Sequence, residues 1–361
     1  VPMASGMQQS MVTEEITMGS SPESKTKEFK QFDIVTDWSD HHFRMLNRPG
    51  KDGVTCDQLK IMQEWKILEK NLPQSIYVRV YEERIDLLRA VIIGAAQTPY
   101  HDSLFFFDFA FPFDYPNNPP RVQYLSHNLH LNPNLYPSGY VCLSLLNTWS
   151  GQRNQKWNPS ESTILQVLVS LQALVLNEEP FYNEPGVKRD GGILESASRS
   201  YTEDVFLLSC KTMLYSLKKP PKNFEAFIAE HFLQRGDFIL AACKAYTEGV
   251  VWVGYFYVDE GPSGPIRVSS RFKKLMKKLY EELDTAFAKK RGSPPNHSKL
   301  SKTIVSSSDH QSSVKKKFRI GMNFMGKMKW ILRLQKMRKK PKKECLNGTN
   351  DGHVQVVIFN F

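Results

Sequence analysis

The chain has 361 residues, enough for one large folded domain or two smaller ones with an ordinary hydrophobic core. Its net charge is +11, but residues 289–345 hold 18 lysines and arginines against two acidic residues, so residues 1–288 carry a net charge of −4. The five cysteines show neither CxxC nor Cys/His spacing, which argues against a zinc site or a disulfide framework and favours a reducing compartment.

The N-terminal part of the sequence shows no targeting pattern. No signal peptide is recognisable, and the longest apolar run, residues 249–258, is too short for a membrane helix of roughly 20 residues. We therefore expect a cytoplasmic or nuclear protein without a transmembrane segment. Residues 1–56 are rich in Ser, Thr, Met and Glu with little periodicity, which predicts a disordered N-terminal segment.

A helix and four strands are predicted next. Residues 56–73 favour a helix that Pro73 ends. Its apolar residues at helical spacing are Leu59, Met62, Trp65 and Leu68. Four apolar segments follow at residues 75–82, 86–94, 103–113 and 121–126. Because their connections are short and carry no helical pattern, we expect a four-stranded antiparallel meander.

Helices are predicted after a turn-rich loop. Ser160 is expected to cap the first of them. Its apolar stripe consists of Ile164, Leu168, Leu171 and Val175. A capping box at Ser200–Glu203 predicts the start of the next helix, which ends before Pro220 and Pro221.

Three more helices are predicted towards the basic tail. Asn223 and Asp237 are expected to cap two short helices that stop at Gly236 and Gly249. Residues 270–290 predict a last amphipathic helix. A helix, a meander, a loop and then several helices together predict an α+β fold.

The turn-rich loop contains one cysteine. Asn-Pro-Asn at 132–134 and Pro-Ser-Gly at 137–139 are strong turn formers, and Cys142 follows them. A free cysteine is most often a small buried hydrophobe. Alternatively, a thiol at the point where a turn gives way to an apolar run is a nucleophile at the mouth of a groove.

The loop and its neighbours resemble the motifs of ubiquitin-conjugating enzymes. Residues 112–120 (PFDYPNNPP) resemble the proline-rich loop of that family, and residues 156–160 (KWNPS) resemble its Trp-Ser-Pro-Ala loop. Residues 132–146 (NPNLYPSGYVCLSLL) resemble the His-Pro-Asn signature, in which the thioester cysteine follows eight residues after the asparagine. The resemblance covers roughly residues 57–220. It implies the ubiquitin-conjugating fold, with an N-terminal helix, a four-stranded meander, a catalytic loop and C-terminal helices.

Further segments are similar to the large hybrid conjugating enzymes, in which one chain combines conjugation with ligase-like substrate selection. The plant phosphate-homeostasis enzymes and the large animal hybrids belong to that group. The similar segments are residues 83–94, 98–108, 128–151, 179–186 and 209–232. They imply four regions: a disordered segment 1–56, a catalytic domain 57–220, a helical extension 221–291 and a basic, mostly disordered tail 292–361.

The sequence departs from the family pattern in three places. Asn132 replaces a histidine that is largely structural, which we expect to alter loop packing more than chemistry. The segment after Cys142 is about seven residues longer, through the addition of residues 148–155. Asn117 and Ser160 stand where many members have Phe and Ala, which argues against the ordinary partnership with RING ligases.

The resemblance assigns Cys142 as the residue that carries ubiquitin as a thioester. No lysine or arginine lies within seven residues of it, so we expect a thiol pKa not far below the free value of about 8.5. The resemblance assigns Asn134 to stabilise the oxyanion when a lysine attacks, although an asparagine in a turn also often bonds its own backbone. Glu184, with Asn183 and Tyr182 as further candidates, is expected to assist the attacking lysine; the alternative is a solvated loop residue.

No glycine-rich phosphate loop is present, so no cofactor is expected and ATP is used by the activating enzyme. The resemblance implies three partners: ubiquitin, the activating enzyme, and protein substrates with acceptor lysines. Lysines of the first helix, at 60, 66 and 70, suit docking onto the activating enzyme or are simply solvated.

The basic tail is predicted to bind an acidic partner or to remain a disordered solubilising segment. Residues 338–343 (RKKPKK) form a cluster of nuclear-import or phosphate-binding type. Residues 318–337 mix basic and apolar side chains, as in segments that bind calmodulin or anionic membranes. Two alternative functions stay open: conjugation of another ubiquitin-like modifier, and nucleic-acid or membrane binding through the tail.

Overall fold

A computed structural model describes most of the chain. The described residues are 29–46, 57–149, 152–189, 192, 194–258, 261–292 and 294–295. The chain divides into two units after Lys30, and the fold below is that of the second unit, which begins at Gln31. The two tail segments for which binding was predicted lie outside the described residues.

A five-stranded sheet forms the centre of this unit. Its strands, in order across the sheet, are β1 (Phe32–Val35), β2 (Ile76–Tyr81), β3 (Leu87–Ile93), β4 (Leu104–Ala110) and β5 (Arg121–Tyr124). Strands β2 to β5 pair antiparallel, which confirms the predicted four-stranded meander. Strand β1 adds a parallel partner at the β2 edge. The predicted α+β class is confirmed.

The fifth strand lies in the segment predicted to be disordered. The prediction for residues 1–56 is therefore wrong for β1 and for a 3-10 turn at His42–Met45. A four-residue strand offers too little alternation to be recognised from the sequence. It is held by non-local contacts, among them the parallel pairing with β2 and an ion pair in the middle of the sheet.

That ion pair joins two neighbouring strands. Arg89 of β3 and Asp108 of β4 face each other, with Nε–Oδ1 and Nη2–Oδ2 distances of 2.6 and 2.9 Å. The segment after β1 completes the pair, because Asp40 accepts from Arg89 Nη1 at 2.7 Å and the His42 N–H donates to Asp108 at 2.7 Å. Arg89 and Asp108 are fully buried, so these added partners are what makes the pair tolerable.

Helix α1 (Gln58–Asn71) packs on the inner face of the sheet. Its cap is Asp57, and its buried residues are Ile61, Glu64, Trp65 and Leu68. Two residues of the predicted apolar face, Leu59 and Met62, are exposed and not buried. The buried Glu64 carboxylate accepts from Tyr115 Oη at 2.8 Å and from the Ile164 N–H at 3.0 Å, and burial raises its pKa. It thereby ties α1 to the proline-rich loop and to the next helix.

Helix α2 (Ile164–Ser170) continues as a wider turn over Leu171–Val175. Its cap is Thr163, completed by Gln166 in a capping box, so the prediction of Ser160 as the cap is wrong. The predicted apolar stripe is confirmed, since all four of its residues are buried.

Three long helices follow: α3 (Glu195–Lys218), α4 (Glu225–Glu248) and α5 (Ser270–Arg291). The prediction of a capping box at Ser200 is wrong, because α3 begins five residues earlier. Its Glu203 accepts instead from the backbone N–H of Ser269, the cap of α5, at 3.2 Å. The last predicted helix, residues 270–290, is confirmed as α5.

The prediction of two short helices at residues 223–249 is wrong, since α4 is continuous and stops only at Gly249. Gly236 lies inside it, where an added Cβ would stand 3.0 Å from the Phe287 ring of α5. The expected caps have other partners. Asp237 pairs with Arg291 at 2.8 Å, and Asn223 donates to a backbone carbonyl of the N-terminal segment at 2.6 Å.

The start of α4 covers the outer face of the sheet. The Phe227 ring lies 4.4 Å from the Tyr77 ring, and the Phe224 ring lies 5.3 Å from the Phe106 ring. The Arg79 guanidinium sits 5.2 Å from the Phe224 ring. Strands β2 to β4 are consequently buried on both faces. None of the helices within the described residues has both the length and the apolarity to cross a membrane.

Asp108→Asn should lower the free energy of unfolding by about 3–5 kcal/mol, because the buried Arg89 charge loses its buried partner and keeps only the partly exposed Asp40. Urea denaturation followed by circular dichroism measures the loss. The double variant Arg89→Met/Asp108→Leu is the matched control and should lose less, since no buried charge remains. Equal losses in the single and double variants would contradict this account of the ion pair.

Candidate active site

The loop after β5 places the cysteine at the end of a tight turn. Leu135 and Val141 pair across this turn in antiparallel fashion. Gly139 has a φ of 86°, and a Cβ there would stand 2.5 Å from the Tyr124 carbonyl oxygen, so only glycine fits. The turn folds the chain back on itself and brings Cys142 beside the Asn-Pro-Asn segment.

Two hydrogen bonds join the first two predicted site residues. The Cys142 N–H donates to the Asn134 carbonyl at 2.9 Å, and Asn134 Nδ2 donates to the Cys142 carbonyl at 3.0 Å. The structure therefore brings Asn134 and Cys142 together, with the amide bracing the backbone of the cysteine. The amide nitrogen of Asn134 has two N–H groups. One bonds to the Cys142 carbonyl, and the other is the one that bears on chemistry at the thiol.

Asn132 is the centre of the hydrogen bonds behind the loop. Its fully buried amide donates to the Val175 carbonyl at 2.7 Å and to Tyr100 Oη at 2.9 Å. Its Oδ1 accepts from the Asn134 N–H at 2.8 Å and from Asn183 Nδ2 at 3.3 Å. The expectation that this departure from the family pattern concerns loop packing agrees with these contacts.

The three candidates at residues 182–184 have different surroundings. Asn183 is half-buried, accepts from Asn177 Nδ2 at 2.7 Å and donates to Asn132. Tyr182 is covered by the Arg189 guanidinium, 5.2 Å from its ring. Glu184 is exposed at the end of a short 3-10 turn at Pro180–Asn183, and its charge acts on the phenol beside the thiol.

Cys142 is only 4% exposed. Burial raises the pKa of its thiol above the ordinary value, while a hydrogen bond from Tyr136 opposes that shift. The sequence predicted a thiol pKa slightly below the free value, so the predicted direction of the shift is wrong. The sequence shows neighbouring charges but not the loss of solvent around the sulfur, which here has the larger effect.

Tyr136 is a site residue that the sequence prediction missed. The Cys142 thiolate raises the pKa of its phenol most, and Glu184 raises it further, so both acidic groups act on this side chain. Its ring stacks on His130 at 5.9 Å and meets Tyr140 edge-on at 6.0 Å. Its position two residues after Asn134, on the same turn as the cysteine, is a signal that the sequence contained.

The added segment after the cysteine stabilises the loop. Thr148 Oγ1 accepts from the Leu143 N–H at 2.9 Å and donates to the Val141 carbonyl at 2.7 Å, so it binds both neighbours of Cys142. Trp157, in the loop that follows the added segment, donates from Nε1 to the Pro116 carbonyl of the proline-rich loop at 2.7 Å.

The other described cysteines, Cys210 and Cys243, are fully buried in α3 and α4. Burial raises the pKa of Cys210 well above its ordinary value. Among the described residues, no three His, Cys, Asp or Glu side chains are grouped as a metal site requires. The functional groups that the structure gathers around this loop are the Cys142 thiol, the Asn134 amide, the Tyr136 phenol and the Glu184 carboxylate.

A meander flanked by helices, with one thiol on the loop beyond its last strand, agrees with the fold that the resemblance to ubiquitin-conjugating enzymes implied. A family model for ubiquitin-conjugating enzymes matches residues 60–207. The putative ubiquitin-conjugating enzyme E2 38 of Arabidopsis thaliana is 54% identical over 237 residues, which are 64% of this chain and 73% of that protein. The chain belongs to the ubiquitin-conjugating enzyme family, whose members are transferases.

Relatives of greater length also match this chain. The probable ubiquitin-conjugating enzyme E2 24 of Arabidopsis thaliana is 52% identical over 264 residues, which are 72% of this chain and 29% of that protein. The dual E2 ubiquitin-conjugating enzyme/E3 ubiquitin-protein ligase BIRC6 of Homo sapiens is 36% identical over 245 residues, 63% of this chain and 5% of that protein. The chain spans only 29–41% of the length of three of the Arabidopsis relatives it matches.

Alkylation of Cys142 by iodoacetamide should rise with pH through a midpoint above that of a free cysteine peptide, because burial raises the thiol pKa. Tyr136→Phe should move the midpoint higher, because the hydrogen bond that lowers the pKa is lost. Mass spectrometry of the Cys142 peptide gives the rates, and Tyr140→Phe is the matched control without a shift. A midpoint at or below that of free cysteine would contradict the desolvation.

Proposed function

We propose that the chain accepts ubiquitin from the activating enzyme as a thioester on Cys142 and transfers it to lysines of protein substrates. The observation that most supports this role is the paired hydrogen bonding of Asn134 with Cys142, which holds an amide donor beside the thiol. Membership of the family supports ubiquitin as the group transferred. The test is formation of a reductant-sensitive adduct with ubiquitin, activating enzyme and ATP.

Loading exchanges one thioester for another. The Cys142 sulfur attacks the thioester carbonyl carbon, the new carbon–sulfur bond forms, and the thiol of the activating enzyme leaves. A thiol with a raised pKa has little thiolate at neutral pH, but the thioester is itself a reactive acyl donor. The hydrogen bond from Tyr136 favours the thiolate that attacks.

Discharge forms an isopeptide bond. The substrate amine attacks the carbonyl carbon, negative charge collects on the carbonyl oxygen, and the Cys142 sulfur leaves as the amine loses a proton. The second N–H of Asn134 supplies a donor for that oxygen, and Asn132 holds Asn134 in place. Glu184 and Tyr136 form the exposed side of the site, where a carboxylate attracts and orients the ammonium before it loses its proton.

We further propose that the chain is of the hybrid type, which selects substrates without an ordinary RING ligase. Its similarity to the dual enzyme BIRC6 supports this, as do the residues at positions 117 and 160. A charging assay with ubiquitin and with other ubiquitin-like modifiers separates the conjugation of ubiquitin from the conjugation of another modifier. A chain that acts only through its basic tail would charge with none of them.

Cys142→Ser should replace the reductant-sensitive adduct by a stable ester or abolish it, because an oxygen ester resists thiols. Cys210→Ser and Cys243→Ser should still charge, since both thiols are buried in helices. Non-reducing gels of the charging reaction, with circular dichroism to confirm folding, make the measurement. A Cys142→Ala variant that charges fully would remove Cys142 from the mechanism.

Asn134→Ala should load nearly normally but discharge onto free lysine about 10²–10³ times more slowly, the usual cost of one oxyanion donor. Loading is less sensitive, because the activating enzyme contributes its own groups to that step. Single-turnover discharge of preloaded enzyme gives the rate. Equal losses of loading and discharge would mean that Asn134 only braces the backbone of Cys142, and an unchanged discharge rate would exclude it from the reaction.

A further inference from the structure

The two peptide units on either side of Cys142 are held by hydrogen bonds along both of their edges. The unit before it carries the Val141 carbonyl and the Cys142 N–H, and the unit after it carries the Cys142 carbonyl and the Leu143 N–H. All four of these groups have partners. Because the two planar units define the backbone torsion angles of the residue between them, these partners set the direction in which the Cys142 side chain leaves the backbone.

Asn134 holds one edge of each unit, through its two hydrogen bonds with Cys142. The C=O and N–H of a trans peptide point in opposite directions, so the other edge of each unit needs a second partner. That partner is Thr148, whose Oγ1 lies 2.7 Å from the Val141 carbonyl oxygen and 2.9 Å from the Leu143 nitrogen. One hydroxyl serves both, because it donates to the carbonyl and accepts from the N–H. The Leu143 carbonyl oxygen lies farther from Oγ1, at 3.2 Å.

A tight turn brings Thr148 back to the cysteine. The 3-10 turn Ser144–Leu146 ends at Asn147, whose φ of 57° and ψ of 20° lie in the left-handed region. Asparagine is one of the few residues besides glycine that adopt this conformation readily. The Thr148 N–H then donates to the Leu143 carbonyl at 3.3 Å, which anchors the threonine itself. The first residue of the added segment thereby reaches the backbone around Cys142.

The backbone groups that Thr148 bonds lie in the interior. Val141 is 1% exposed and Leu143 is 7% exposed, so water does not readily replace a lost partner there. A buried backbone N–H or C=O without a partner is strongly unfavourable. Removal of the hydroxyl would therefore favour rotation of the two peptide units towards other partners.

We propose that Thr148 is a positioning residue of the transfer reaction and acts through the backbone of Cys142. Asn134 and Thr148 together form a clamp on the two peptide units that flank the cysteine. The clamp keeps the thioester carbonyl within reach of the second N–H of Asn134. The inference rests on the proposed function, because the group that the clamp orients is the thioester on Cys142.

The hydrogen bonds of the Thr148 hydroxyl go to backbone groups, so its loss should change the rate of transfer and not the binding of the acceptor. A misplacement of the reacting groups by about 1 Å typically costs on the order of 10²-fold in rate. An effect on the maximal rate alone is what distinguishes positioning from recognition of the acceptor.

The kinetic test compares two substitutions of Thr148 in single-turnover discharge of preloaded full-length chain onto free lysine. Thr148→Val nearly keeps the shape and removes the hydroxyl, and it should lower the maximal rate about 10- to 100-fold with an unchanged KM for lysine. Thr148→Ser keeps the hydroxyl and should retain most of the rate. Thr247→Val, which removes a half-buried hydroxyl from α4, is the matched control and should discharge at the full rate. Circular dichroism confirms that each variant is folded.

A double-mutant cycle with Asn134→Ala separates positioning from a general loss of stability. Once the Asn134 amide is absent, Thr148→Val should slow discharge less than about threefold further, because the two residues act on the same carbonyl. A full additional loss in the Asn134→Ala background would overturn the proposal. So would Thr148→Ser discharging as slowly as Thr148→Val, or Thr148→Val discharging at the rate of the unmodified chain.

Hydrogen exchange tests the clamp without ubiquitin. The Leu143 N–H, followed by NMR in the uncharged full chain, should exchange faster in Thr148→Val and at the original rate in Thr148→Ser. Unchanged exchange in Thr148→Val would overturn the clamp, whatever the loading of Cys142. The expected exchange pattern in a chain that never loads ubiquitin would support the clamp and contradict the proposed function alone.

Discussion

One buried amide holds the catalytic end of the molecule together. Asn132 bonds with three other segments and with its own loop: the turn before β4 through Tyr100, the wider turn after α2 through Val175, the loop at Asn183, and the cysteine loop through Asn134. All of these partners must be present at once, because a buried donor or acceptor without a hydrogen-bond partner lowers the stability of the fold by about 1–3 kcal/mol. The geometry at Cys142 is therefore set by the packing of distant segments and not by the loop alone.

A second constraint acts on the outer face of the sheet. The buried pair of Arg89 and Asp108 needs the N-terminal segment to complete its hydrogen bonds, and the aromatic residues beside it need the start of α4. The sheet is covered on both faces as a result. The loops remain for partners, and Cys142 and Glu184 both lie on loops.

The sequence predicted best what local pattern determines. Alternating apolar residues indicated the meander, and turn formers indicated the turn that Cys142 follows. Prediction from the sequence failed where a contact with a distant residue overrides the local structural preference. Gly236 predicts a helix end by propensity, yet it is kept inside α4 because Phe287 needs the space. Strand β1 likewise depends on its pairing with β2, and the direction of the thiol pKa depends on burial, which the sequence does not show.

The covered sheet has a consequence for how this domain can be divided. A cut at residue 220, where the resemblance to small conjugating enzymes ends, would uncover the rings of Tyr77 and Phe106 that Phe227 and Phe224 now cover. Such a fragment would carry a new apolar patch and tend to self-associate. The helix after residue 220 therefore belongs to the same folded unit as the sheet, and it cannot be removed without exposing the aromatic face that it covers.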